Sequence, residues 1–293
     1  MKKLKLITLL TSLIINGVAL ADLNTGLVAH WNFDDCTAKD VSGNGHDGII
    51  NGNPQCIPSP MGKSLKLNGL TDYIQGSIGS DTFSANWTIV AKFNRDSYNS
   101  AWDAIFSNSL TTTDAVVMTF KGMNSNFLGM NRVGIEDAGP YVNLGSNHFN
   151  KWVFAVLSMT NGTLNIQANV NGKIYKNSYK RTAPIKTEDS FLIGKHWNAD
   201  ITTSTLFKGS IDDVIVYNRP LLSSEIAEIY NAGLSVNGTI NSLATHTVVC
   251  KNETTGQIVN IASNKATVYD CEAKGLKVNT GETASVFIKG IVQ

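Results

Sequence analysis

The side chains able to do chemistry in this sequence fall into three sets: acids that punctuate apolar runs, aromatic residues set in polar stretches, and four cysteines. Asp34 and Asp35 end one apolar run, Asp72 follows the Asn68-Gly69 bend, and Asp212 and Asp213 lie side by side in another run. Adjacent residues of a strand point to opposite faces, so one of that last pair must point inward. An inward carboxylate needs a partner, because an isolated buried charge costs many kcal/mol. Calcium is one such partner, since it collects about six to eight oxygens from Asp, Asn and backbone carbonyls. Arg219 or Lys208 would be ion-pair alternatives. The stretch Asp40-Val41-Ser42-Gly43-Asn44-Gly45 sets turn-forming residue types beside side-chain acceptors, and it reads as either a plain Asx-type turn or a backbone cradle for a cation.

Among the aromatic residues, Tyr98 and Trp102 sit in the polar stretch 96–103, Tyr141 follows Gly139-Pro140, and His196-Trp197-Asn198 follow Gly194. A flat ring beside Asn or Asp can stack on a sugar and hydrogen-bond its hydroxyls. The alternative is that such rings plug the ends of a core. Catalytic patterns are lacking. Glycosidases need two carboxylates flanking the bond, whereas Glu136 and Asp137 are adjacent and Glu188-Asp189 is loop-like. No Gly-x-Ser-x-Gly elbow occurs either. Cys36 with Cys56, and Cys250 with Cys271, each bracket about twenty residues, which suits two local disulfides contributing about 3 kcal/mol each. No Cys-x-x-Cys is present to favour zinc.

The elements that would position these residues are mostly strands. Lys2, Lys3 and Lys5 precede an apolar run that ends in Ala19-Leu20-Ala21, so residues 1–21 read as a secretory signal peptide and the protein as secreted, periplasmic or extracellular. The mature chain has no transmembrane segment on this reading. Loss of the three lysines leaves 21 basic against 23 acidic residues, a formal charge of −2 that argues against nucleic acid. Charged residues make up 16% of the sequence and hydrophobic ones 42%, with 25 Gly, a composition that suits many strands joined by many turns.

Apolar residues alternate through Leu27, Ala29, Trp31 and Phe33, through Trp87 to Phe93, Trp152 to Val156, Leu164 to Val170, and Ile211 to Tyr217. Asn171-Gly172 between two such runs predicts a type I′ hairpin. A helix is expected after Pro220, capped at Ser223 or Ser224 and ended by Gly233, with Ile226, Ile229 and Tyr230 sealing an edge or end of the fold. Residues 234–244 read as a polar linker and 245–293 as a small disulfide-bonded β module.

Gly26-Leu27-Val28-Ala29-His30-Trp31-Asn32-Phe33-Asp34, Asp40 to Gly48, Leu65-Lys66-Leu67-Asn68-Gly69 with Asp72-Tyr73-Ile74, and Phe207 to Leu221 together resemble laminin-G-like, concanavalin-A-like domains over residues 22–233. The resemblance implies an antiparallel jelly-roll β-sandwich of the all-β class, with first and last strands side by side. That would bring Asp34, Asp72 and Asp212 or Asp213 within reach of one structural calcium, with Ser42 and Asn44 as further ligands. The expected function is a non-catalytic, lectin-like module binding carbohydrate or a cell-surface glycoconjugate through Tyr98, Trp102, Tyr141, His196, Trp197 and Asn198. A cell-surface adhesion or protein-interaction module is the alternative; a glycoside hydrolase fits less well.

Overall fold

The computed structural model describes residues 23–60, 62–99, 102–108, 116–122, 124–130, 139–181, 185, 188–196, 206–232, 237–240, 246–252, 254–263, 267–270, 276–277 and 284–289. The expected signal peptide, residues 1–21, lies outside them. The strands before the helix are β1 (Leu27–Trp31), β2 (Ile49–Asn51), β3 (Gln55–Ser59), β4 (Gly62–Asn68), β5 (Tyr73–Gly76), β6 (Trp87–Arg95), β7 (Ala104–Ser107), β8 (Val117–Phe120), β9 (Phe127–Met130), β10 (Tyr141–Asn143), β11 (Trp152–Thr160), β12 (Thr163–Val170), β13 (Lys173–Lys180), β14 (Phe191–Ile193) and β15 (Lys208–Tyr217). Helix α1 (Ser223–Ala232) follows, then β16 (Asn237–Ile240), β17 (His246–Asn252), β18 (Ile258–Ser263), β19 (Thr267–Asp270) and β20 (Ala284–Lys289).

Two antiparallel sheets make the sandwich. One runs β13-β12-β11-β6-β15-β4-β3 with β1 also on β15; the other runs β10-β9-β8-β7-β14-β5-β2. Their facing sides bury a single core that includes Trp31, Leu67, Phe93, Phe106 and Phe191. The first and last strands of the sandwich are neighbours, as the resemblance implies, with Ala29 opposite Val216 and Trp31 opposite Val214. The β12–β13 hairpin forms at Asn171 and Gly172, both with positive φ (50° and 81°), the requirement of a type I′ turn.

The alternation breaks in three places among the described strands, one of them between Ala104 and Phe106 of β7, and the two on β15 and β1 decide which side chains meet outside the larger sheet. β15 pairs with β4 through Ile211 and with β1 from Val214 onward, and its register against β6 shifts between Asp212 and Ile215. This bulge inserts an extra residue and reverses the faces beyond it. Ile211, Val214 and Val216 therefore enter the main core, while Ile215 and Tyr217 turn outward. A second irregularity between Leu27 and Ala29 sends Leu27 to the same outer face.

Those outward residues explain the helix. Val90, Phe154, Val156, Ile215 and Tyr217 form an apolar patch outside the larger sheet, and Ile226, Ile229 and Tyr230 of α1 cover it. The helix thus lies on a sheet face rather than sealing an edge or end. Its first turn is fixed by Glu225, which accepts the Leu222 N–H at 2.6 Å and pairs with Arg219. Arg219 is therefore the partner of Glu225 and not of Asp212 or Asp213.

Beyond the helix, the polar stretch 234–244 is not a plain linker, because β16 lies within it and pairs with β19. β17 pairs with both β18 and β20. Cys36 and Cys56 are bonded to each other. Cys250 is also disulfide-bonded, and its expected partner Cys271 lies outside the described residues. No helix among the described residues is long and apolar enough to cross a membrane.

Candidate functional site

The acids do not gather as one set. Asp40, which the sequence shows only as the first residue of a turn, organises that turn by accepting the N–H groups of His30, Ser42 and His46 at 3.0, 2.9 and 3.0 Å. Burial works against its charge, but these bonds prevail and hold its carboxyl below the ordinary carboxylate value. Ser42 and Asn44 serve as donors, the Asn44 amide reaching the Leu27 and Val28 carbonyls at 2.9 and 3.0 Å and the Ser42 hydroxyl reaching Val28 at 3.3 Å. Asp72 is buried elsewhere, accepting the Asn53 and Asn68 N–H groups at 3.0 Å each.

Asp34 and Asp212 both reach the β3–β4 hairpin, Asp34 accepting the Lys63 N–H at 2.9 Å and Asp212 the Ser59 hydroxyl at 2.7 Å. Asp212 is buried, and burial together with the neighbouring Asp213 charge pushes its carboxyl up to about 7. Asp213 adopts φ 39° at the bulge and faces outward, accepting Lys92 Nζ at 2.8 Å and His30 Nε2 at 2.9 Å. Burial again opposes its charge, and the His30 and Lys92 contacts outweigh it, so its carboxyl is lowered. Among the described residues no group of three or more His, Cys, Asp or Glu is arranged to hold a metal ion.

The aromatic candidates divide differently. Tyr98 donates to Asn126 Oδ1 at 2.9 Å and packs edge-on against Phe149 at 4.7 Å, so it plugs the end of the sandwich. Trp102 and Tyr141 line one hollow of about 620 Å³ together with Lys121, Phe127 and Asn177. That volume suits a small ligand. His196 is 3% exposed, with its ring 6.1 Å from that of Trp102. Trp197 and Asn198 lie outside the described residues.

The hollow forms where edge strands of the two sheets approach. The Asn177 amide of β13 donates to the Tyr141 carbonyl of β10 at 2.8 Å, joining the edges. The Lys121 ammonium stands 5.1 Å from the Tyr141 ring centroid, within cation–π range. Phe127 begins β9 and remains 45% exposed beside this hollow. Phe127, Lys121 and Asn177 carry no signal in the sequence that would single them out, since they come together only through the approach of β10 and β13.

Behind the hollow lies a buried polar support. Arg95 and Asp103 are wholly buried and ion-paired, with Arg95 Nε donating to Asp103 at 2.8 Å and its Nη1 donating to the Ser125 carbonyl at 2.8 Å. The guanidinium stacks 4.0 Å over the Phe120 ring. Asp103 directly follows Trp102 and Phe120 directly precedes Lys121, so the pair anchors two segments of the hollow. His148 stacks on the other side of this cluster, 5.2 Å from Phe120; burial, aided by the Arg95 charge, lowers it to about 4.

The profile of the concanavalin A-like lectin/glucanases superfamily (Laminin_G_3) matches residues 68–227, more than half of the chain, and the chain belongs to that superfamily. No curated protein sequence matches it. Among solved structures it is similar to domain 4 of AbnA, an extracellular GH43 arabinanase of Geobacillus stearothermophilus solved with arabinotriose, at 20% identity and a TM-score of 0.55, over 69% of this chain and 97% of that one. It is also similar to the binding domain of paraclostridial mosquitocidal protein 1, at 15% identity and a TM-score of 0.57, over 82% and 64%. The binding domain of botulinum neurotoxin DC, solved with rat synaptotagmin II, gives 15% identity and a TM-score of 0.52, over 83% and 63%. The chain thus spans under two thirds of the toxin binding domains, and the likeness at these identities is one of fold.

Proposed function

We propose that this concanavalin A-like chain is an exported, non-catalytic carbohydrate-binding module whose ligand sits in the hollow of Trp102, Phe127 and Tyr141. The observation that carries the proposal is the convergence of three aromatic side chains with an amide and an ammonium in one concave site. Rings supply flat faces for a sugar's C–H surface, while Asn177 and Lys121 supply directional contacts to its oxygens. No carboxylate is among the described lining residues, which supports binding over glycosidic cleavage, a reaction that needs an acid pair. The Cys36–Cys56 bond fits an oxidising compartment and supports export. A protein partner is the second reading, favoured by the botulinum domain solved with synaptotagmin. A glycan array separates them: bound oligosaccharides abolished by Trp102→Ala support the first, and an array without hits removes it.

Calcium belongs to the proposal at a reduced site. Asp34 and Asp212, which converge on the β3–β4 hairpin with the Ser59 hydroxyl, offer an all-oxygen donor set that suits a hard cation. Asp72, Ser42 and Asn44 are omitted because each is engaged elsewhere, and Asp213 has Lys92 and His30. Calcium at 100 times its dissociation constant stabilises a folded state by about 2.7 kcal/mol. EDTA should therefore lower the melting temperature of calcium-loaded protein by several degrees, and should leave Asp212→Asn unaffected; an unchanged wild-type melt would remove the ion.

A further inference from the structure

We infer that the ligand is a sugar chain of several units, running from the aromatic hollow over the edge of β13 onto the outer face of β11–β13; this deepens the carbohydrate reading of the hollow and rests on it. Asn177 is the junction. It lines the aromatic hollow and also a second hollow of about 520 Å³ on the far side of β13. Its amide points toward β10, bonded to the Tyr141 carbonyl, whereas its strand neighbours Lys176 and Ser178 alternate to the outer face.

The outer face is patterned for a polar chain. Leu164, Ile166 and Ala168 of β12 enter the core, so Asn165 and Gln167 between them face out. Strand register then places Ser158, Asn165 and Ser178 in one row, and Val156, Gln167 and Lys176 in the next. Rows across three strands extend about 10 Å at about 4.8 Å per strand step, which is room for more than the hollow holds. Among the described residues, the Ser158 hydroxyl, the Gln167 amide and the Lys176 ammonium have no hydrogen-bond partner within the protein. A carboxamide offers donors and acceptors together, matching hydroxyl groups that do the same. The neighbouring part of this face is apolar and covered by α1; here the cover stops at Ile226 and the polar rows begin.

The two halves of such a path make separable contributions, stacking in the hollow and hydrogen bonding on the rows. The test is calorimetric titration of the full chain with oligosaccharides graded from dimer to hexamer, drawn from an array of neutral and acidic glycans. Affinity should rise with length. Gln167→Ala and Lys176→Ala should each weaken hexamer binding roughly fivefold and leave dimer binding unchanged, while Trp102→Ala weakens both. Equal affinities for dimer and hexamer, with Gln167→Ala silent, would overturn the path and leave the hollow standing. Absence of binding by every glycan would remove the hollow's carbohydrate reading and the path with it. Both outer-face positions are solvent-accessible, so an unchanged melt separates lost binding from lost folding.

Discussion

Behind the aromatic hollow, Arg95 and Asp103 are wholly buried and His148 is stacked beside them; at the β15 bulge, Asp213 holds Lys92 and His30 with its side chain 15% exposed. Both clusters pair an acid with cations, yet they border different surfaces. The first adjoins the hollow in sequence, Asp103 following Trp102 and Phe120 preceding Lys121. The second sits where β15 exchanges one edge partner for another and compensates a backbone irregularity. Both also lie next to a strand irregularity, since the register of β7 against β8 shifts between Ala104 and Phe106, directly after Asp103, so what separates the two clusters is the surface each borders.

If that contrast holds, cutting the first cluster should cost most. Asp103→Ala leaves a buried guanidinium unpaired and should destabilise by about 3–5 kcal/mol, read from urea midpoints. Acid should find the same cluster. The folded-state value of His148, about 4, lies below its ordinary 6.5, so between these values only the unfolded chain takes up the proton. The His148 contribution should be constant above pH 6.5 and decline by about 3 kcal/mol as the pH falls from 6.5 to 4. It is read as the difference between wild type and His148→Phe, because Asp212, raised to about 7, titrates with the opposite sign in the same window. Asp213→Asn should cost less, about 2 kcal/mol, since its partners reach solvent more readily. A larger loss for Asp213→Asn than for Asp103→Ala would reverse the contrast.

Much of the fold was legible because alternation reports burial directly. The strands at Trp87–Phe93 and Leu164–Val170 and the Asn171-Gly172 turn follow from local pattern, while the adjacency of β1 and β15 follows from the family resemblance. The bulge at Asp212–Asp213 was not legible, since an inserted residue leaves no mark in the pattern until the partner strands are known. It explains why Ile211 and Ile215, of equal parity, separate to opposite faces. The helix was placed by its caps, but its position needed the outward Phe154 and Ile215. In the site, Trp102 and Tyr141 were chosen as rings in polar surroundings, and they do share a hollow. Tyr98 looked identical in sequence and is spent on Asn126 and Phe149. Lys121, Phe127 and Asn177 join only through the approach of β10 and β13, a contact between residues distant in sequence. Asp40 was read as part of a turn rather than as the acceptor that shapes it, because direction of hydrogen bonding is invisible without coordinates.

The central claim is that the exposed rings, and not the acid-lined bulge, form the binding surface. Titration of the strongest array ligand into wild type, Trp102→Ala and Asp213→Asn tests it most directly. Trp102→Ala should weaken binding at least tenfold with the melting temperature unchanged, and Asp213→Asn should bind as wild type despite its lower stability. Undiminished binding by Trp102→Ala, with loss in Asp213→Asn, would contradict the account.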